Sequence, residues 1–261
     1  MLSQREYYLL KDSSIEGLTW DIIILYCDFM IIAHRGASAY APDNTIAAIK
    51  KAFELGSDGI EIDVQMSRDG ELFIFHDWNL EKVTGDKALI TSKSSAEIKN
   101  IDAGSWFSPE FAGERIPALE EVLDIVPKGK LVNIEIKKTA SDTRPVEEKV
   151  LRQVSDRGMT GNVIISSFNH KTISTVEKID AEIKTALIMA SQLVNPMKYL
   201  GNFRCYSFHP VLYYVDEQLV KELHANNIKI YPWVVNDTFY AKELTAAGCD
   251  GIITNYPDLR F

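Results

Sequence analysis

From residue 30 onward, short apolar runs alternate with stretches in which apolar side chains recur every three or four positions. Met30–His34 reads as a strand. Asp43-Asn44-Thr45 then caps a helix running to about Leu55, with Ile46, Ile49, Ala52 and Phe53 on one face. Gly59–Met66 is a second strand. Ser67-Arg68-Asp69-Gly70 has turn chemistry, and Glu71–Phe75 returns as a hairpin partner rather than a crossover. With the turn centred near Arg68–Asp69, Asp63 falls opposite residues 74–75, and His76 comes back to the level of Glu61 and Asp63. Helical patterns over 117–126, 144–157, 170–179, 216–226 and 238–247 then alternate with strand patterns over 130–137, 163–167, 184–189, 204–208, 229–235 and 251–254. Leaving out the hairpin return, eight strands span about 230 residues. That number and spacing predict an α/β chain folded as a (β/α)8 TIM barrel, typically of ~250 residues. A doubly wound open sheet is the alternative, but no Gly-x-Gly-x-x-Gly turn follows the first strand.

Two segments interrupt the alternation. Residues 78–113 are polar and turn-rich, with a short helical pattern near Ser94–Asn100 and an aromatic knot at Trp106, Phe107 and Phe111. A stretch of that length reads as an insertion after the second strand, such as a small lid, rather than a plain connection. Residues 1–29 carry no regular pattern and precede a methionine that opens the first clear strand. Two readings of them stand: a non-native upstream extension, or a helix that covers the barrel bottom. The barrel domain is accordingly expected over residues 30–261.

Composition narrows the partners. In 261 residues, 46% hydrophobic positions suffice for a sizeable core. The net charge is −9, with Lys and Arg scattered rather than striped, which argues against a nucleic-acid backbone as partner. Cys27, Cys205 and Cys249 are odd in number and far apart, which speaks against a disulfide framework or a Cys-rich zinc site and for a reducing compartment. The N-terminus lacks the parts of a signal peptide, and the apolar run Trp20–Cys27 is short and contains Asp21. Spanning a bilayer takes roughly 20 apolar residues, so no stable membrane insertion is expected. A cytoplasmic protein acting on a small molecule is the expectation; the oligomeric state is not legible.

The working end of a (β/α)8 barrel is the C-terminal end of its strands. There the chain offers His34 and Arg35, Glu61 and Asp63, Glu135 and Lys137, Ser167, His209, Trp233, and Thr254 with Asn255. The i, i+2 spacing of Glu61/Asp63 and Glu135/Lys137 turns each pair to one side of its strand. Three inward carboxylates on neighbouring strands repel one another, and a hard divalent cation, Mg²⁺ or Ca²⁺, resolves that conflict. The plainer alternative for Glu61 and Asp63 is a solvated strand end or a salt bridge to Lys137. No His-rich or Cys-rich spacing suits zinc. Two histidines flanking carboxylates and an arginine fit proton transfer near neutral pH. Arg35 offers a planar fork for phosphate oxygens, or a partner for Glu61. His170 reads as a helix cap and His224 as a surface residue; His209 lines the pocket or is structural. The cysteines form no recognisable triad.

Taken in order, these segments resemble a known family. Ala33-His34-Arg35-Gly36, Ala41-Pro42-Asp43-Asn44-Thr45, Gly59-Ile60-Glu61-Ile62-Asp63-Val64, Asp69-Gly70 and His76-Asp77 are similar to the glycerophosphodiester phosphodiesterases of the bacterial cytosolic type. So are Ala112–Pro117, Asn133-Ile134-Glu135-Ile136-Lys137, Ser166-Ser167-Phe168, Trp233-Val234-Val235-Asn236 and Asp250–Asn255. The match runs from Met30 almost to the C-terminus and leaves residues 1–29 outside. The resemblance implies a (β/α)8 barrel with a small insertion after strand two. It also implies metal-dependent hydrolysis of glycerophosphodiesters to glycerol 3-phosphate and an alcohol. It implies His34 and His76 as the acid/base pair, Glu61, Asp63 and Glu135 as ligands of one Mg²⁺ or Ca²⁺, Arg35 and Lys137 beside the phosphate, and Trp233 as an aromatic pocket wall. Asp43 departs from the glutamate usual in the family, and Asn255 from a common aspartate. Two other functions stand beside this one: a lysophospholipase D-type enzyme on membrane lysolipids, and a catalytically silent phosphate-binding barrel.

Overall fold

The computed structural model describes residues 29–261. The readings made for the segment before Phe29, Cys27 included, lie outside the described residues. Among the described residues nine strands form: β1 (Met30–His34), β2 (Gly59–Met66), β3 (Leu72–Ile74), β4 (Leu131–Ile136), β5 (Val163–Ser167), β6 (Lys184–Met189), β7 (Ser207–Pro210), β8 (Lys229–Ile230) and β9 (Gly251–Thr254). Eight of them run in the order β8-β7-β6-β5-β4-β2-β1-β9, and every neighbouring pair is parallel. The remaining strand, β3, is antiparallel, laid against β2 with Val64 opposite Ile74. Backbone bonds close the ring: Asp250 N–H donates to Ile230 O (3.2 Å), Ile253 N–H to Pro232 O (2.9 Å) and Val235 N–H to Ile253 O (2.9 Å). This is the (β/α)8 barrel that the hydrophobic pattern predicts.

The helices are α1 (Ile46–Glu54), α2 (Glu81–Thr84), α3 (Ser95–Ile98), α4 (Leu119–Leu123), α5 (Val146–Asp156), α6 (His170–Ile179), α7 (Pro196–Leu200), α8 (Glu217–His224) and α9 (Thr238–Ala246). Alternation along each strand sorts side chains into two cores. Ile32, Leu131, Ile164, Ala186, Tyr231 and Ile253 fill the barrel interior. Ile60, Ile62, Ile134 and Ile165 point outward, in the larger cluster that holds Ile49 and Ala52 of α1 and Val150 of α5. The end of α1 that faces the site is fixed by Thr45, whose Oγ1 accepts from Ala48 N–H at 3.3 Å. A Cβ on Gly251 would lie 2.3 Å from Met30 O, so glycine lets β9 close onto β1 at the barrel floor.

Two strands differ from the sequence reading. The strand expected over 204–208 forms at Ser207–Pro210, because the Arg204 N–H is taken by Glu177 Oε1 (2.9 Å) instead of a neighbouring strand. The run expected over 229–235 is regular only at Lys229–Ile230. Pro232 has no N–H to donate there, and the chain continues through single bonds such as Trp233 N–H to Pro210 O at 3.0 Å. Within 78–113, α2, α3 and two 3₁₀ turns enclose a separate apolar cluster, in which Leu80, Ile90, Ile98 and Ala103 pack on Phe73 and Phe75. A capping box between Ser94 and Glu97 starts α3. Among the described residues no helix is long and apolar enough to cross a membrane. Cys205 and Cys249 are buried and unbridged.

Candidate active site

The parallel register puts Asp63 opposite Glu135, and Glu61 beside His34. Glu61, Asp63 and Glu135 thereby converge at the C-terminal mouth of the barrel, each buried, with one carboxylate oxygen apiece within 4.8 Å of the others. Two cations reach the cluster. Lys137 Nζ lies 3.4 Å from Glu135 and 3.8 Å from Asp63, and Arg35 Nε lies 3.4 Å from Asp63. The salt bridge to Lys137 is therefore present, yet three carboxylates against two cations leave an excess negative charge. Burial, together with that mutual repulsion, raises the Glu61 carboxyl well above its ordinary range and brings Glu135 up to about 7. Asp63 is fixed by Asn44, which donates from Nδ2 to Oδ2 at 2.8 Å and accepts the Asp63 N–H at 3.2 Å. Its other oxygen, Oδ1, is buried with no hydrogen-bond donor among the described residues, Lys137 Nζ standing 3.8 Å away. An all-oxygen donor set with excess negative charge and a free buried lone pair fits a hard divalent cation.

Both histidines sit at the cluster's edge. His34 Nδ1 is 2.7 Å from Asn255 Oδ1, so the neutral ring carries its proton on Nδ1 and leaves Nε2 as a lone pair. Burial, then the neighbouring Arg35 charge, pushes the His34 pKa down to about 4. His76 Nδ1 is 2.7 Å from Asp77 Oδ1, a carboxylate able to support an imidazolium. Burial lowers its pKa as well, against the opposing pull of Asp63. The turn that carries His76 is clamped by Gln65, whose Nε2 donates to Phe75 O (2.8 Å) and Asp77 O (2.9 Å).

Arg35 adopts a positive φ of 57°, which turns its backbone N–H onto Glu61 Oε2 at 3.0 Å. Its Nη1 donates to Asp43 Oδ2 at 3.3 Å. Both readings of this residue are thus realised in part: the backbone serves Glu61, and the guanidinium stands over the site. The Lys137 ammonium lies 5.3 Å from the Trp78 ring centroid. Trp233 is set by its Nε1–H on His209 O (2.8 Å) and by the edge of Phe168, with ring centroids 5.5 Å apart.

Other candidates fall away from the chemistry. His209 is fully buried inside β7, its Nε2 2.9 Å from Ser207 Oγ, and burial pushes its pKa down to about 3. Ser167 Oγ–H donates to Ile136 O (2.7 Å), a strand-to-strand brace. His170 opens α6, with Asn169 as the actual cap, and joins Tyr199 OH (2.7 Å) to Ile188 O (3.0 Å). His224 ends α8 against Asp250 at 2.9 Å. Sequence reasoning missed Asn44, Gln65 and the partnership of Asn255 with His34. Asn44 sits at φ 59°, a conformation asparagine tolerates, but the neighbouring cap motif hides that signal. Gln65 shares the inward face of β2 with Glu61 and Asp63, which was the available clue.

A family model described as the glycerophosphoryl diester phosphodiesterase family matches residues 34–259. The chain is 40% identical over 230 residues to a glycerophosphodiester phosphodiesterase of Caldanaerobacter subterraneus, covering 88% of this chain and 95% of that one. A Bacillus altitudinis protein of the same name is 34% identical, covering 87% and 95%. Among solved structures, an Oleispira antarctica phosphodiesterase in complex with the product sn-glycerol-3-phosphate superposes with a TM-score of 0.79. It shares 30% identity and covers 88% of this chain and 94% of its own.

Proposed function

The chain belongs to the glycerophosphoryl diester phosphodiesterase family, and we propose that it hydrolyses glycerophosphodiesters to sn-glycerol 3-phosphate and an alcohol in a metal-dependent reaction. The observation that carries the reading is the buried Glu61/Asp63/Glu135 cluster with an arginine, a lysine and two histidines at its rim. We read residues 30–261 as the catalytic unit, with 78–113 inserted into it and 1–29 outside it.

Glu61, Asp63 and Glu135 would hold the cation, Mg²⁺ or Ca²⁺. Bound there, such an ion offsets negative charge on the phosphate as the P–O bond breaks. Arg35 and Lys137 orient the phosphate from the same mouth, and Trp233 with Phe168 walls the side on which the alcohol leaves. His34, neutral and with Nε2 free, deprotonates the nucleophile, either water or the adjacent glycerol hydroxyl, the cyclic phosphate formed in the second case then being opened by a water. His76, backed by the Asp77 carboxylate, protonates the departing alkoxide. The assignment follows from the partners: an amide oxygen does not stabilise an imidazolium as a carboxylate does.

The test is release of glycerol 3-phosphate from glycerophosphocholine and glycerophosphoethanolamine, with EDTA and with Mg²⁺ or Ca²⁺ restored. Release that EDTA abolishes and one cation restores is expected. No release under either cation would sink the reading and leave a lipid substrate or a barrel that only binds phosphate. A lysophospholipid substrate is the second reading. It is favoured by exposed aromatic side chains on the segments that follow the strands, among them Trp78, Phe168, Tyr213 and, in the first turn of α9, Phe239, a wider set than the 106–111 knot seen in the sequence. Faster turnover of lysophosphatidylcholine than of glycerophosphocholine would favour it.

A further inference from the structure

Asp43 stands between two cations from different parts of the fold. Its Oδ2 lies 3.3 Å from Arg35 Nη1, just past the end of β1, and its Oδ1 lies 2.6 Å from Lys82 Nζ, on α2 of the insertion. The Asp43 side chain is only 15% exposed, so neither contact is fully screened by solvent. Burial alone would raise the Asp43 carboxyl, but Lys82 and then Arg35 outweigh it and hold the group below its ordinary range. The Lys82 ammonium also lies 3.7 Å from the Trp106 ring centroid, and that ring is fixed by its Nε1–H on Ala103 O at 2.8 Å. An unbroken line of contacts therefore runs from Trp106 through Lys82 and Asp43 to Arg35.

The line bears on how Arg35 meets a phosphate. Asp63 faces its Nε and Asp43 its Nη1, while Nη2 makes no hydrogen bond among the described residues. The guanidinium is thus held at Nε and at Nη1, with Nη2 between the two edges left open. An Asp43 carboxylate without Lys82 would direct its whole charge at Arg35 and compete with phosphate for it. Without Asp43, the plane would keep Asp63 alone, and Lys82 would lose its anchor on the barrel.

We propose that Asp43 and Lys82 are positioning residues that set the orientation and effective charge of Arg35, so that the insertion governs how tightly the site holds a phosphate group. This rests on the reading of Arg35 as a phosphate-binding residue. It is tested by calorimetric binding of sn-glycerol 3-phosphate to the full chain, alongside KM and kcat for glycerophosphocholine, in Lys82→Met, Asp43→Asn, Asp43→Glu and the Lys82→Met/Asp43→Asn double variant. Each single neutralising change is expected to weaken binding and raise KM roughly three- to tenfold, with KM moving more than kcat. The double variant should be no worse than the weaker single, and Asp43→Glu should recover most of the affinity. Lys82 is about one-third exposed (32%), so its replacement leaves the fold standing. Unchanged affinity in Lys82→Met would overturn the proposal, as would a change confined to the thermal midpoint. If the wild type cleaves no glycerophosphodiester, the proposed activity fails, while the binding measurement still decides this proposal.

Discussion

At the scale of single residues, the two histidines carry opposite demands on one fold. In the proposed reaction each exchanges a proton, yet each is partly withdrawn from water, and burial favours the uncharged ring. Replacing either His34 or His76 with alanine is expected to cost roughly 10²–10⁴-fold in kcat, with KM changed far less. Near-full activity in either variant, measured as glycerol 3-phosphate release, would remove that residue from the mechanism. The partner of His34 offers a finer probe. Asn255 presents a neutral oxygen to Nδ1 at 2.7 Å. Asn255→Asp would place a negative charge there and raise the pKa of the ring by about one unit or more. A base must be unprotonated to act, so the acid limb of the kcat/KM profile should move to higher pH. Activity near pH 5 should then fall relative to wild type while activity near pH 8 is kept. An unshifted limb would mean that His34 is not the base.

At the scale of elements, the β2–β3 hairpin does most of the assembly. One strand delivers Glu61 and Asp63, its return delivers His76, and Gln65 between them ties the returning turn by two carbonyls. Gln65→Leu leaves the carboxylates in place but frees the His76 turn. It should lower kcat roughly ten- to hundredfold while a divalent cation still raises the thermal midpoint as in wild type; a kcat equal to wild type would show the clamp to be dispensable. Much of this hairpin was legible beforehand, because period-two alternation and a Ser-Arg-Asp-Gly turn are local signals. They place Asp63 opposite residues 74–75, and the observed bond from Phe75 N–H to Asp63 O (2.9 Å) agrees. What escaped the sequence depended on distant partners. The reach of Asn255 across 221 residues to His34, the sharing of Asp43 with Lys82, and the diversion of the Arg204 N–H to Glu177 have no local pattern. The early end of β8 was half legible, since Pro232 stands in the expected strand.

At the scale of the whole molecule, the barrel closes around an interior that is not wholly apolar, and this sets its response to acid. His209 lies inside β7 at 0% exposure, with Tyr231 packed 5.6 Å away and Ser207 on its Nε2. Among the described residues no carboxylate accompanies it, and burial alone takes its pKa from 6.5 to about 3. Between those two values the unfolded chain binds a proton that the folded barrel refuses. Stability from this site is therefore complete above pH 6.5 and drains away as the pH falls toward 3. From pH 7 to pH 5 the loss is about 2 kcal/mol, since each unit of differential titration is worth about 1.4 kcal/mol. The Glu61/Glu135 pair titrates over part of the same range with the opposite sign, because its folded carboxyls hold protons more tightly than unfolded ones. A single acid-denaturation curve thus mixes the two. Comparing wild type with His209→Gln separates them: denaturation midpoints at pH 7 and pH 5 should fall further in wild type than in the variant, by the amount this one ring contributes. Equal falls in the two proteins would show that the His209 site takes up its proton without opening the barrel.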